Sequence, residues 1–495
     1  MNAASSSTLP GRSRLTLSAI LLYERADQIS GGLLIFMLVF SPWAFGTTQS
    51  WSIGTMNVCG YVLGALLGIK LWIRYLLGHK PLRFGRNSPL RASLTVALAI
   101  SSGLLLAYCA IGALNARADY DPARLTLSYR DYLHWLPHSY DRLATWRVFL
   151  SYLAWASSFW ALRDWLLGMT AEESWAARNV GTLPSARPAI PARLRLLLWI
   201  MAVNGAALGI EGIIQRLEGS GKLLFLVKPR VNPGAETQFG PYAYRSNAAQ
   251  YLNLIWPVTL GFWWWLQQSA GRTIRKSRRH WLLLCAAIMA ACPIISTSRA
   301  GALTSMAMLA LAVAILISGK RGDGLVKLAV LGVFALALAG GLYLGWQSLN
   351  PRLDELAEGF QTRELIYKTA RLIAKENPVF GTGPGTFEHV FQLYRQSLTE
   401  YWPAQLHNDW LEIRLTFGWA GFGLVLWALA AVLAHWFCAG GVGASRRFTW
   451  LVWLALGGCL LQARWDFPFQ IYSIVFLFLA LCAILTTVSR LNRGS

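Results

Sequence analysis

The chain has 495 residues, of which 55% are hydrophobic and only 14% charged, with a mean hydropathy of +0.41. About a quarter of a soluble domain is charged, so this composition excludes a string of soluble domains and predicts a membrane protein. The formal net charge of +22 would point to nucleic acid in a soluble chain. Here the bases fall in short loops between apolar runs, where they meet anionic headgroups and fix topology, so membrane lipids are the expected partner and nucleic acid is not.

A span needs about 20 apolar residues. On that rule twelve transmembrane helices are predicted, near 29–46, 52–73, 92–113, 147–167, 194–214, 247–267, 281–297, 300–318, 328–346, 414–437, 448–463 and 469–488. The first apolar run begins near Ile29 after a polar start and lacks a small-x-small cleavage site, which predicts a span and not a signal peptide. Alternate connections are basic: Lys70, Arg74, Lys80, Arg83, Arg86 and Arg91; Arg272, Arg275, Lys276, Arg278 and Arg279; Lys320, Arg321 and Lys327; Arg446 and Arg447. The positive-inside rule places these loops in the cytoplasm. Both ends follow, through Arg12 and Arg14 and through Arg490 and Arg493, giving an N-in/C-in chain. The stretch 179–192 reads as a cytoplasmic linker.

The remaining connections are then exported: 114–146, 215–246, the corner at Ser298 and Arg299, 347–413 and 464–468. The expected division is helices 1–9 over 1–346, an exported periplasmic loop over 347–413, and helices 10–12 over 414–495. Within the loop, Leu365, Ile366, Thr369, Leu372 and Ile373 recur at helical spacing. They predict an amphipathic helix over 362–377, with Thr362 as N-cap and Pro378 beyond its end. The seven cysteines (Cys59, Cys109, Cys285, Cys292, Cys438, Cys459, Cys482) include no CxxC pair and read as small buried hydrophobes.

Three basic residues stand at exported span ends. Arg245 lies in Tyr244-Arg245-Ser246-Asn247, Arg299 in Ser296-Thr297-Ser298-Arg299-Ala300-Gly301, and His407 closes the long exported loop before Asn408-Asp409-Trp410. A single arginine in such a place is commonly a snorkelling side chain. Two guanidiniums at one depth suit a diphosphate, because each fork binds phosphate oxygens bidentately and stays charged. Asn408 as N-cap would leave His407 beside a helix's positive end, which favours the neutral imidazole of a general base. The turn Gly381-Thr382-Gly383-Pro384-Gly385 resembles a phosphate loop, but no Gly-Lys-Ser/Thr follows and Pro384 has no N–H, so it reads as a turn. Asp119-Tyr120-Asp121 has the spacing of a metal-binding DxD; beside Arg117 and Arg124 it reads as a charge-paired loop, so neither metal nor cofactor is expected.

From about 240 to 425 the chain resembles the O-antigen ligase and polymerase superfamily. The resemblance rests on Arg245-Ser246-Asn247 with downstream Pro257, the Thr-Ser-Arg-Ala-Gly corner, Arg363 leading towards Asn377-Pro378-Val-Phe-Gly-Thr-Gly-Pro-Gly-Thr-Phe, and His407-Asn408 followed by Gly418-x-x-Gly421. It implies a GT-C-like, all-α polytopic enzyme of the bacterial inner membrane with its active site facing the periplasm. The donor would be an undecaprenyl-diphosphate-linked glycan, transferred with inversion to a hydroxyl of lipid A-core or of another glycan. On the family's pattern Arg245 and Arg299 bind the diphosphate and His407 activates the acceptor. Arg363 and Asn408 are further substrate-binding candidates. A polymerase of the same superfamily is the alternative. A flippase or transporter would need mid-span ionisable groups, and no mid-span acid is read here; a scaffold would need none of these residues.

Overall fold

The computed structural model describes residues 16–85, 89–179, 190–269, 278–318, 324–354, 356–395, 402–437 and 444–491. Arg12, Arg14, Arg86, Arg272, Arg275, Lys276, Lys320, Arg321, Arg493, Cys438 and most of the 179–192 linker lie outside them. The helices are α1 (Leu17–Trp43), α2 (Ser50–Tyr75), α3 (Pro89–Leu114), α4 (Arg142–Leu167), α5 (Ala171–Asn179), α6 (Ala192–Glu218), α7 (Arg245–Ser269) and α8 (Trp281–Ile295). They continue as α9 (Arg299–Ile317), α10 (Gly324–Asp354), α11 (Leu356–Glu376), α12 (Phe387–Phe391), α13 (Asp409–Phe437), α14 (Ala444–Gln462) and α15 (Tyr472–Leu491). The described residues are 77% helical. Its one two-stranded ribbon, among the described residues, joins β1 (Ala118–Asp121) to β2 (Thr126–Tyr129) in the loop after α3, a hairpin the sequence reading did not foresee.

Among the described residues eight helices are long and apolar enough to cross a membrane: α1, α2, α3, α6, α8 with the turn before it, α9, α13 and α15. Their outward faces expose residues such as Trp51, Val58, Leu104, Leu311 and Trp419, the surface expected of lipid-facing helices. The other four stretches predicted as spans are also helical, in α4, α7, α10 and α14; α10 holds a shorter apolar run over Val330–Trp346, and the other three are interrupted or enclosed. α4 carries Arg147, Arg163 and Asp164, and α14 opens with Arg446 and Arg447. α7, rich in Trp, Asn and Gln, is buried along nearly its whole length against α6, α8, α9, α14 and α15. A helix enclosed by other helices does not need an apolar face towards lipid.

Lys70, expected in a basic loop, instead lies within α2 and is 1% exposed. Its ammonium bridges Asp27 of α1 and Asp164 of α4, each at 2.7 Å. Arg74 and Arg83 join Asp164 at 2.8 Å, and Arg193 of α6 joins Asp27 at 2.5 Å. Such a network survives in an apolar setting because every charge faces an opposite one. Arg91, also assigned to that loop, is buried in α3.

The polar segment differs at its start. α10 continues to Asp354 and α11 begins at Leu356, so Thr362 lies inside a helix and is not its N-cap; its side chain is outside the described part. The α11 end at Glu376, just before Pro378, is as expected. From there the chain forms a strap along α13, which breaks at Gly418 (φ 60°, ψ −168°). Thr382 and Gly383 donate backbone N–H to the carbonyls of Leu415 and Thr416 (3.0 and 2.9 Å), while Trp419 and Ala420 donate to Pro378 and Val379 (2.9 and 3.0 Å). The break frees backbone groups and the strap satisfies them, as an apolar environment requires. Tyr108 of α3 closes the joint, its hydroxyl donating to Phe380 and Phe417 carbonyls at 2.6 and 2.8 Å.

A Cβ at Gly418 would press into the Val379 carbonyl, and its backbone conformation is one that only glycine adopts readily. Gly418→Ala is therefore expected to destabilise the protein by about 2 kcal/mol or more. Thermal unfolding in detergent reads this, and a melting temperature equal to wild type would refute the stitched break.

Candidate active site

Two helix starts lie side by side. The hydroxyls of Ser246 and Ser298 meet at 3.0 Å, so α7 and α9 begin together, each with an arginine, Arg245 and Arg299, as its first residue. Ser298 caps α9 by accepting the Gly301 N–H at 3.2 Å. Asn253 of α7 donates to the Gly301 carbonyl at 3.1 Å. A Cβ at Gly301 would come within 2.5 Å of the Ala249 methyl, so the helices approach this closely only with small residues at the crossing. The sharp turn between α8 and α9 puts Thr297 in the left-handed region at φ 57°. Arg216, which the sequence did not single out, braces this corner through the carbonyls of Ser296 (3.0 Å) and Gln238 (3.1 Å).

The third start is that of α13. Asn408 caps it as expected, its Oδ1 accepting the Leu411 N–H at 3.2 Å. The next residue, Asp409, is fully buried and accepts the Phe469 N–H at 2.7 Å, while its own N–H donates to the Ala463 carbonyl at 2.9 Å. These bonds fasten the turn between α14 and α15 against His407. Asp466 Oδ1 then stands 3.6 Å from His407 Nδ1, an electrostatic pair longer than a formed hydrogen bond. The Phe467 ring meets the imidazole edge-on at 4.8 Å and stacks on Tyr244 at 5.4 Å, and Tyr244 itself lies 6.2 Å from the imidazole. His407 has φ 55°, and the Tyr367 hydroxyl holds its carbonyl at 2.9 Å. Arg363 of α11 donates to the Trp465 carbonyl at 2.9 Å, tying that helix to the same turn.

Tyr244 is where these elements meet. Burial and then the neighbouring Asp466 carboxylate push its phenol above the ordinary value; the Ser246 hydroxyl, Arg363 and Arg299 act in the opposite sense. The phenol therefore stays protonated at neutral pH, within electrostatic reach of Arg299, Arg363 and Asp466. Of the residues singled out from sequence, the structure gathers Arg299, Arg363, His407 and Asn408 around this point. Arg245 shares the helix start with Arg299, but its guanidinium donates to the Glu236 carbonyl.

The two other motifs have structural roles. The N–H groups of Thr382 and Gly383 are spent on the broken α13, so the Gly381–Gly385 turn is a strap. Asp119 is paired with Arg130 and Arg142, each at 3.0 Å, and Asp121 closes its own turn by accepting from Ala123 N–H at 2.9 Å. The charge pairing is as read for Arg124, which pairs with Asp121 at 3.9 Å, whereas Asp119 takes Arg130 and Arg142 in place of Arg117. Arg117 instead faces the rings of Tyr132 and Tyr140, at 5.1 and 4.2 Å. Among the described residues no group of three or more His, Cys, Asp or Glu is placed to hold a metal.

Comparison with protein families matches residues 284–426 to the O-antigen ligase model. Residues 284–426 are an O-antigen ligase domain. The match falls on the region whose motifs resemble that superfamily, and it supports membership of it and a glycan-transferring membrane enzyme of that type. No curated protein matches the chain. The ligase domain runs from α8 into α13 and contains Arg299, Arg363, His407 and Asn408. Arg245, Tyr244 and Asp466 lie outside the matched residues, yet the fold brings the last two against the ligase domain's histidine. An acid in so short a connection as 464–468 was the available signal for Asp466, and Tyr244 adjoins an arginine already singled out.

If Asp409 fastens this turn, Asp409→Ala leaves the partly buried Phe469 N–H without its acceptor and costs about 2 kcal/mol. Backbone hydrogen exchange over 463–470 should rise sharply in that variant while exchange in α7 stays unchanged. Exchange at 463–470 equal to wild type would contradict the role given to Asp409.

Proposed function

We propose that the protein transfers a glycan from undecaprenyl diphosphate to an acceptor hydroxyl at the outer face of the inner membrane, as an inverting, metal-independent, O-antigen ligase-like glycosyltransferase. The observation that carries this reading is the convergence of His407, Asp466, Arg299 and Arg363 around Tyr244, beside three helix starts. In this reading the chain crosses the membrane twelve times in a GT-C-like arrangement, with both ends in the cytoplasm and the site facing the periplasm.

The diphosphate sits at the starts of α7 and α9, where helix dipoles and unpaired backbone N–H groups favour an anion. Arg299 and Arg363 carry its charge, and Arg245 joins them by leaving the Glu236 carbonyl when donor binds. Asp466 favours the imidazole tautomer with its proton on Nδ1, which leaves the Nε2 lone pair to accept the acceptor's proton. The acceptor oxygen then attacks the anomeric carbon as the carbon–oxygen bond to the diphosphate breaks from the opposite side, inverting the centre. The leaving group is already activated, so positioning and charge stabilisation supply the catalysis. The acceptor is lipid A-core or another glycan.

His407→Ala and Arg299→Ala should each lower transfer by about 10²-fold or more with the protein still inserted and abundant. Arg245→Ala should also impair transfer, and Arg299→Lys should fail to restore it, since an ammonium lacks the bidentate fork. Reconstitution with a carrier-linked glycan and separate acceptors, followed by product sizing, measures all four. Wild-type product from both alanine variants at 299 and 407 would remove the mechanism; a ladder of products in place of one mass shift would identify a polymerase. Asp466→Asn should reduce kcat by about tenfold or more while KM for donor changes little. An unchanged kcat would reduce Asp466 to a turn residue.

A further inference from the structure

At the opposite end of the bundle from His407, the four helices α3, α4, α13 and α15 surround a second concentration of cations. Arg163 of α4 is 6% exposed and Arg490 of α15 lies beside it. Both guanidiniums donate to one hydroxyl, Thr95 Oγ1 of α3, at 2.9 and 3.2 Å. That hydroxyl in turn donates to the Arg91 carbonyl at 2.8 Å. His435 of α13 is fully buried against the Leu94 backbone, and its charged neighbours are Arg163, Arg490 and the buried Arg91. The nearest acid acting on Arg163 is Asp164, which is already committed to Lys70, Arg74 and Arg83. Among the described residues no carboxylate pairs with Arg163 or Arg490, and the Nε of each has no acceptor. Like charges crowded around one hydroxyl in an apolar setting call for an anion.

The same four helices line an apolar cavity of about 220 Å³. Its walls include Leu98, Phe159, Val432 and Cys482. Leu98 and Val432 are three residues from Thr95 and His435, and Phe159 is four from Arg163, so one helical turn separates the cavity from the cations. A soluble anion would satisfy the guanidiniums and leave this wall uncovered, whereas a hydrocarbon chain alone would cover the wall and leave the charges unanswered.

We propose that this place binds one anionic phospholipid, its phosphate held by Arg163 and Arg490 and an acyl chain lying in the cavity between α3, α4, α13 and α15. The lipid comes from the leaflet opposite His407, which is the cytoplasmic one in the orientation proposed above. Only that leaflet assignment rests on the transferase reading; the binding does not. Filling the cavity and neutralising the cations, the lipid ties α13, whose first turn carries the site, to α4 and α15.

The test uses the full-length protein, delipidated in detergent, with native mass spectrometry of added phosphatidylglycerol, phosphatidylcholine and inorganic phosphate. Phosphatidylglycerol should be retained one to one and phosphatidylcholine at least about tenfold less. The double variant Arg163→Gln with Arg490→Gln should lose phosphatidylglycerol by about tenfold. Ala156→Trp, which fills the cavity and leaves the cations intact, should lose it too. Equal retention of the two lipids, or retention unchanged in both variants, overturns the proposal. So does inorganic phosphate displacing the lipid at equal concentration, or a polyprenyl phosphate outcompeting it, which would identify a soluble-anion site or a carrier site. If the arginine variant fails to fold, the wild-type lipid selectivity and Ala156→Trp decide. Glycan transfer is not a readout, so loss of the transferase reading leaves these outcomes untouched.

Discussion

The Asp409 carboxyl, buried at the first turn of α13, accepts the Phe469 N–H and thereby clamps the turn between α14 and α15 onto the helix start. Everything assembled around His407 depends on that clamp. It puts Asp466 beside the imidazole, lays Phe467 between His407 and Tyr244, and presents the Trp465 carbonyl to Arg363. Burial and then the neighbouring Glu412 raise the pKa of this carboxyl well above its ordinary value, and removing either partner of its bond to the Phe469 N–H leaves a polar group unsatisfied. The groups around His407 are thus positioned by backbone geometry and not by long side chains reaching through solvent.

The scaffold follows the same rule of satisfying every polar group internally. α13 breaks at Gly418 only because the 378–383 strap takes up the freed backbone groups, and Tyr108 seals the joint from α3. The buried cations of α2 and α6 are answered by Asp27 of α1 and Asp164 of α4 at the far end of the bundle. The exception is the Arg163 and Arg490 pair, where the described protein supplies one hydroxyl for two guanidiniums. That imbalance next to an apolar cavity distinguishes it from the other charged clusters.

Much of this was legible in the sequence where the physics is local. Apolar run length located the long helices, Asn408 announced its cap, and Pro378 marked the end of α11. The Thr362 cap failed because α11 starts six residues earlier, where Leu356-Ala-Glu-Gly-Phe carries no strong start signal. Lys70 was misplaced because a basic residue near a span end looks the same whether it faces water or two aspartates from other helices. The β1–β2 ribbon is only four residues a side, too short for alternation to announce it. Asp466 and Tyr244 were missed for a different reason: their meaning comes from packing between segments far apart in the chain, which no spacing rule encodes.

The most direct measurement is a structure of the protein with a non-hydrolysable polyprenyl-diphosphate glycan bound. The account predicts the diphosphate at the paired starts of α7 and α9, within hydrogen-bonding distance of Arg299 and Arg363, with His407 Nε2 on the far side of the anomeric carbon. A diphosphate seated away from Tyr244, or an imidazole turned from the sugar while donor is bound, would contradict it.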